Sequence, residues 1–310
     1  MFEILVVVAP FFALILCGFL AAHFRLLPPN TVPALNVFVL YFALPCMLFR
    51  FSARTPFEQL VNLPVFFAYA TAGVLMLGAF AALARFLVRE SVRDAVYGAL
   101  AASWSNWGYM GFALLPALLG PAVLPIVVAG GLADLLVVVS GALAFAALES
   151  RKGGARAVFV GVLRNPLIWA IAAGGAFSAS ELALPAVLEQ ITRLLGEAAV
   201  PVALFTIGVS LYRPGTRIER TEVFVIAGAK LFVHPYLVLV VAAYLFRLEP
   251  LEVRTLALMA ALPVGGSVFL FAERGGANAE RIAAAILVST ALAFFTFSAL
   301  GWAFGVSVGR

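Results

Sequence analysis

The chain has 310 residues, of which 64% are hydrophobic and only 11% charged, with a mean hydropathy of +1.10. A soluble domain carries about 25% charged residues, so this composition excludes one and places the chain in a lipid bilayer. The formal charge of +5 does not indicate nucleic acid, because the basic residues form short clusters between apolar runs, as in the loops of membrane proteins.

A helix needs about 20 apolar residues to cross a bilayer, and ten such segments are predicted, at 2–22, 29–49, 63–86, 95–119, 122–148, 166–180, 184–211, 222–246, 252–272 and 279–306. The first has no basic flank and no small-residue cleavage site, so it reads as a retained helix. It carries Cys17 and the second carries Cys46 and Pro45; both cysteines are expected as small core residues. The fourth concentrates Ser103, Ser105, Asn106, Gly108, Gly111 and Pro116 in mid-segment, and the fifth holds Asp134, one of only two aspartates. A linker with Gly153-Gly154 follows, and the sixth segment is short and rich in Gly and Ala. The seventh bears Glu189, Arg193 and Glu197, spaced to form one ladder on a helix face, and then Pro201. The eighth holds Lys230 and His234, the ninth Pro263, Gly265, Gly266 and Ser267, and the tenth Ser289 and Thr290.

Across this series the chain repeats itself. Pro10, Gly18, Pro29, Ala43, Pro45, Leu48, Phe49, Gly120 and Ala129 reappear 156 positions later as Pro166, Gly174, Pro185, Ala199, Pro201, Leu204, Phe205, Gly276 and Ala285. The fold expected is therefore an all-α membrane protein of two five-helix repeats, 1–150 and 166–310, joined by a linker at 151–165. With an odd number of crossings in each, the second repeat enters from the opposite side and the two are inverted. Loops after odd-numbered segments hold 13 Lys and Arg against 5 on the other side. The positive-inside rule then makes the odd loops cytoplasmic and puts both termini outside.

Bare backbone groups are not tolerated in hydrocarbon, so a break in a helix must lie within protein or beside a water-filled cavity. The fourth segment breaks around Asn106–Gly111, the ninth around Pro263–Ser267, and the 156 offset sets Trp107 on Pro263. Where such breaks cross, the half-helix N-termini present free N–H groups and partial positive charge, a setting for a carboxylate. Asn106, Gly108, Gly111, Pro263, Gly265, Gly266 and Ser267 are the candidate binding residues. Gly and Pro also serve plain packing in such helices, and Pro45 and Pro201 are read that way, as structural kinks. Asp134 needs compensation at membrane depth. One reading makes it a proton-responsive coupling group with Lys230 drawing an anion inward; the other makes it a static pair with Lys230 or a neutral acid bonded to its neighbours. His234 shares a helix face with Lys230, while Ser289 and Thr290 are expected to pack between helices. Arg50 and Arg54 form a cluster that draws in anions or anchors the interface.

The residues Asn106-Trp-Gly-Tyr-Met-Gly111 followed by Leu119-Gly120, with Ala261-Leu-Pro263, Ala272 and Ser289-Thr290, resemble the motifs of the auxin efflux carrier family, bacterial relatives of plant PIN-type carriers. The resemblance implies a transporter in which segments 1, 2, 6 and 7 form a scaffold, often dimeric. Segments 3 to 5 and 8 to 10 then form a moving, elevator-type transport domain that holds the substrate at the crossed helices. Family members carry organic anions, from auxin to dicarboxylates such as malate or malonate. Plant members resemble one another in an Asn-Pro pair at each crossover; here the first break keeps the asparagine, Asn106-Trp107, and the second the proline, Leu262-Pro263. Where bacterial members commonly show a proline near position 113, this chain has Ala113 and Pro116. The related sodium symporters bind their ion with acidic and amide groups, and Ala260–Phe271 contains none.

The function expected is secondary transport of small organic anions across the cell membrane, with no cofactor and no nucleic-acid partner. An intramembrane enzyme is excluded by the lack of HExxH, CxxC, an aspartate-rich diphosphate site or a GxSxG elbow. A channel is the remaining alternative, since broken helices also line pores.

Overall fold

A computed structural model describes residues 2–56, 62–150, 166–180, 184–212 and 221–306, with backbone alone at 147–150. Among these residues the regular elements are all helical. In chain order, α1 spans Phe2–His23, α2 Thr31–Arg54, α3 Leu63–Phe86, α4 Val92–Ser103, α5 Trp107–Leu119 and α6 Pro121–Ala146. They are followed by α7 Pro166–Ala179, α8 Ala186–Leu211, α9 Thr221–Leu245, α10 Pro250–Ala260, α11 Ser267–Gly275 and α12 Ala279–Ala303. Seven described helices (α1, α2, α3, α6, α8, α9 and α12) are long and apolar enough to cross a membrane; α5 and α7 are shorter apolar helices. The predicted fourth and ninth segments each fall on two helices, α4 with α5 and α10 with α11. The predicted linker at 151–165 lies outside the described residues.

Capping accounts for the boundaries that hydrophobicity misplaced. Helix α4 begins at Val92, ahead of its apolar run, because the Ser91 hydroxyl accepts the Asp94 N–H at 3.1 Å. Helix α10 begins at Pro250, with Glu249 and Glu252 forming a reciprocal capping box. Gly120 and Gly276 end α5 and α11 at φ of +88° and +70°, backbone that glycine adopts without a Cβ penalty. They too are 156 positions apart.

Five π-helical turns interrupt the described helices, at Val39–Ala43, Trp107–Gly111, Asp134–Val139, Ala229–Val233 and Val241–Leu245. The first and fourth of these end two residues before Pro45 and Pro235. Proline has no N–H and its ring presses on the carbonyl four residues back, so a widened preceding turn relieves the clash. Pro45 is thus accommodated by a π turn, whereas Pro201 lies within the α-helix α8.

Contacts divide the chain into two compact units. One comprises Ala9–Asn62 and Gly161–Tyr212; the other comprises Met1–Val8, Leu63–Val160 and Arg213–Arg310. In the first unit, Gly18 of α1 lies against the Phe205 carbonyl of α8, and Gly174 of α7 lies against the Phe49 carbonyl of α2, neither leaving room for a β-carbon. Both glycines and both phenylalanines are pairs at the 156 offset, so the contact exchanges partners under the repeat, as surfaces related by a two-fold do. Such close backbone approach is how helices associate where no hydrophobic force separates them from lipid.

The expected ladder on α8 is only half made. Arg193 reaches Glu197 at 3.4 Å, but Glu189 faces α2 and accepts from Arg50 at 3.1 Å and from Arg54. Two guanidiniums on a partly buried carboxylate outweigh one exposed i, i+4 pair. The Arg50 and Arg54 charges are therefore engaged by Glu189. Cys17 faces outward and Cys46 is half-buried, both as free thiols. Cys17 is thus not a core residue, which costs nothing where the surroundings are apolar.

The second unit contains α3–α6 and α9–α12. Arg281, one of the 13 basic residues expected in the odd-numbered loops, is instead buried at the start of α12. It donates to Glu90 at 2.6 Å and to the Asp94 carbonyl at 2.7 Å, with Glu222 at 3.7 Å. One guanidinium thereby ties together the beginnings of α4, α9 and α12.

Candidate functional site

Helix α4 stops at Ser103, and Trp104 is extended (φ −84°, ψ 120°). Helix α10 stops at Ala260, three residues before Pro263, which cannot continue a helix and restricts Leu262 before it. The two non-helical stretches then run antiparallel, bridging at Ser105 and Val264. The Asn106 N–H donates to the Pro263 carbonyl at 3.0 Å, and the Gly265 N–H donates to the Trp104 carbonyl at 3.1 Å. The Val264 N–H donates to the Ser289 hydroxyl of α12 at 3.2 Å. Each break thus supplies hydrogen-bond partners that the other lost on leaving the helix, which a bilayer interior demands. Gly265 permits the approach: a β-carbon there would stand 3.2 Å from the Trp104 ring and 3.3 Å from the Ser105 carbonyl.

Helices α5 and α11 start from this crossing, and their first N–H groups have no intrahelical acceptor. Ser103–Trp107 and Ala261–Gly265 are buried, while Gly108, Tyr109, Gly266 and Ser267 are half-buried and form an accessible rim. A β-carbon added at Gly108 or Gly266 meets open space; one at Gly111 meets Trp107 and Leu262. Asn106 is 4% exposed, yet among the described residues nothing bonds its side-chain amide. Buried amides ordinarily find partners. The rim therefore presents an unspent carboxamide, two helix starts and room beside two glycines, a combination suited to a small carboxylate.

Behind the crossing lies Lys230, fully buried within the fourth π turn. Its ammonium donates to the Ser105 hydroxyl at 3.0 Å and to the Ala260 carbonyl, and meets His234 Nδ1 at 3.2 Å. Three N–H groups thus have three partners, one in each of the two interrupted segments and His234 on the same helix as Lys230. The Ala260 carbonyl is among the last of α10 and has no intrahelical donor. With Nδ1 accepting from Lys230, the His234 proton sits on Nε2, which has no partner among the described residues. Tyr69 of α3 completes the cluster, its hydroxyl 3.1 Å from that of Ser105 and its ring edge-on to His234.

Asp134 is fully buried, at the start of the third π turn, near the Ser105 backbone, and among the described residues neither carboxylate oxygen makes a well-formed hydrogen bond. It lies within electrostatic reach of Lys230, but among the described residues no ion pair joins them. The static pair is not made because Ser105, Ala260 and His234 occupy the three donors of Lys230.

Of the sequence-predicted residues, the fold brings Asn106, Gly111, Pro263 and Gly265 into the crossing. Gly108, Gly266 and Ser267 stand on its rim, Lys230 and His234 behind it, and Asp134 within electrostatic reach of Lys230, Tyr69 and the Ser105 backbone. Ser289, expected to pack, takes a backbone N–H of the second break; Thr290 bonds only its own helix, at the Ile286 carbonyl, 2.7 Å away. Tyr69 carries little sequence signal, its hydroxyl sharing a mostly apolar segment with that of Thr71. Among the described residues no three His, Cys, Asp or Glu side chains are grouped to hold a metal.

A multi-pass helical protein whose interrupted helices exchange backbone bonds at a buried polar site is built as a membrane transporter. Residues 3–301 match the family described as membrane transport protein, Mem_trans, and the chain belongs to this auxin efflux carrier-type family. It is 32% identical over 306 residues, 97% of this chain and 95% of the relative, to a protein of Rhizobium meliloti (strain 1021) named "Putative malonate transporter". The chain is a transporter and not an enzyme.

Proposed function

We propose that the chain is a secondary carrier of small organic anions, dicarboxylates of the malonate kind foremost, and that the substrate sits at the crossing. The observation carrying this reading is Asn106, a largely buried residue at the point where two helices begin, whose side-chain amide bonds nothing among the described residues. Its N–H groups and those of the first turns of α5 and α11 suit a carboxylate, favoured further by the partial positive charge of both helix starts. Lys230 fixes a positive charge behind the site and holds the two breaks together. Asp134, Lys230 and His234 are the coupling groups in this scheme, since unspent polar atoms on Asp134 and His234 leave their charge states open to the transport cycle. The name of the relative supports the substrate class.

In this reading ten crossings form two inverted five-helix repeats with both termini outside the cytoplasm, in the cell membrane. The 156-residue offset, the reciprocal glycine contacts and the paired glycine caps support it. Segments 1, 2, 6 and 7 form a scaffold, which also carries a homodimer interface, and segments 3 to 5 and 8 to 10 form the transport domain. The division into two contact units supports this assignment. All site groups belong to one unit, so they travel together, as elevator-type alternating access requires.

The test is counterflow in proteoliposomes. The parent should show saturable uptake of labelled malonate that rises when unlabelled malonate is inside. Gly266→Val, which places a side chain into open space, should abolish it without unfolding the protein. Flux that neither saturates nor responds to internal malonate would instead assign a channel.

A further inference from the structure

We propose that a groove on the face made by α3, α4 and α6 binds one acyl chain of an anionic phospholipid, with the lipid phosphate on Arg85. The groove has a volume of about 470 Å³, within the range of specific small-molecule sites. Leu77, Gly78 and Ala82 of α3, Val96 of α4, and Gly141 and Phe145 of α6 are among its walls. A β-carbon added at Gly78 or Gly141 would meet nothing within van der Waals contact, so the protein's own side chains leave the recess open.

Its dimensions match one leaflet. The lining runs along α3 from Val74 to Phe86, twelve helical steps, or about 18 Å. Half the hydrocarbon thickness of a bilayer is about 15 Å. Arg85 lies in the last turn of α3, so the groove runs inward from the membrane boundary over the depth of one acyl chain.

Charge selects the headgroup. Arg85 is the one charged residue in the lining, is exposed, and has no ion-pair partner among the described residues. Arg89 follows four residues on. The acidic side chains of the same stretch are already engaged, Glu90 by Arg281 and Asp94 by Ser91 and the Asn278 N–H. A net cationic mouth over an apolar slot fits an anionic headgroup with its chain below. A second recess of about 530 Å³ supplies the contrast: its lining, which includes Phe232, Tyr236, Phe295 and Thr296, has no charged side chain. It fits a chain but offers no preference among headgroups.

The experiment equilibrates the purified full chain with equimolar phosphatidylglycerol and phosphatidylcholine and counts retained lipids by native mass spectrometry. One arginine at the membrane surface favours the anionic lipid by about fivefold, so the parent should retain phosphatidylglycerol over phosphatidylcholine at about that ratio. Arg85→Gln should bring the ratio to one while keeping the lipid count. Gly141→Phe, or Gly78→Leu if the first does not fold, should remove one lipid. Thr296→Phe in the uncharged recess should leave the ratio unchanged. A parent without headgroup preference, or a preference that survives both Arg85→Gln and filling of the groove, overturns the proposal.

Discussion

Replacing Asn106 by Leu tests the site with little collateral damage. Leucine has similar bulk, and the wild-type amide bonds nothing among the described residues, so no internal hydrogen bond is lost. The backbone link from the Asn106 N–H to the Pro263 carbonyl at 3.0 Å is retained. The folded protein should therefore change in stability by no more than about 0.5 kcal/mol. Binding should change far more. A hydrogen bond to a charged group contributes about 1.5–3 kcal/mol, which is roughly 10- to 150-fold in Kd. The helix starts remain and contribute about 0.3–1 kcal/mol each, so affinity falls without vanishing. Isothermal titration of the detergent-purified protein with malonate measures the loss, and thermal unfolding of the ligand-free protein measures the stability. An unchanged Kd in a variant that melts like the parent would refute the assignment. A large loss of stability without ligand would show that the amide has a structural partner.

Lys230→Met leaves the Ala260 carbonyl buried without its donor, a penalty of about 1–3 kcal/mol, so the melting temperature should drop; an unchanged one would show that Lys230 does not hold the breaks together. Asp134→Asn should flatten the pH dependence of malonate uptake while leaving binding measurable, because the carboxylate it removes is fully buried and makes no ion pair among the described residues to fix its charge; a pH profile like the parent's would assign Asp134 to packing. In a background without Cys17 and Cys46, Arg247→Cys should react with an impermeant thiol reagent in intact cells and Arg89→Cys should not, both positions being exposed; the reverse pattern would invert the proposed orientation.

The helical segments were legible in the sequence because lipid is a demanding solvent: long apolar runs have no other use at a mean hydropathy of +1.10. Polar and helix-breaking residues stand out against so uniform a background, which led to breaks expected at Asn106–Gly111 and Pro263–Ser267. The non-helical stretches run over 104–106 and 261–266, so the first was set too late, its Trp107–Gly111 being helical. Partners across helices were not legible. Glu189 and Arg193 have ladder spacing, yet Glu189 turns to Arg50 and Arg54, because spacing along one helix says nothing about which neighbour lies against that face. Lys230 looked like the counter-ion of Asp134, and only the fold shows its donors spent on the Ser105 hydroxyl, the Ala260 carbonyl and His234. That carbonyl is a backbone atom with no residue-type signature, so no reading of side chains finds it. Charge usually marks a loop, which is where Arg281 was expected; the carboxylates of Glu90 and Glu222 and the Asp94 carbonyl, gathered at the beginnings of α4 and α9, make its burial tolerable.

The reciprocal contacts of Gly18 with Phe205 and of Gly174 with Phe49 have a historical reading. An interface in which each half lends the same glycine to the other's same carbonyl is what a homodimer of a shorter chain would have made before its genes fused. A half alone then carries a glycine with no carbonyl to meet and a carbonyl with no glycine to cover it. Expressed as two separate polypeptides, 1–150 and 166–310 should each be degraded singly and accumulate together, the association surviving loss of the peptide that once made them one.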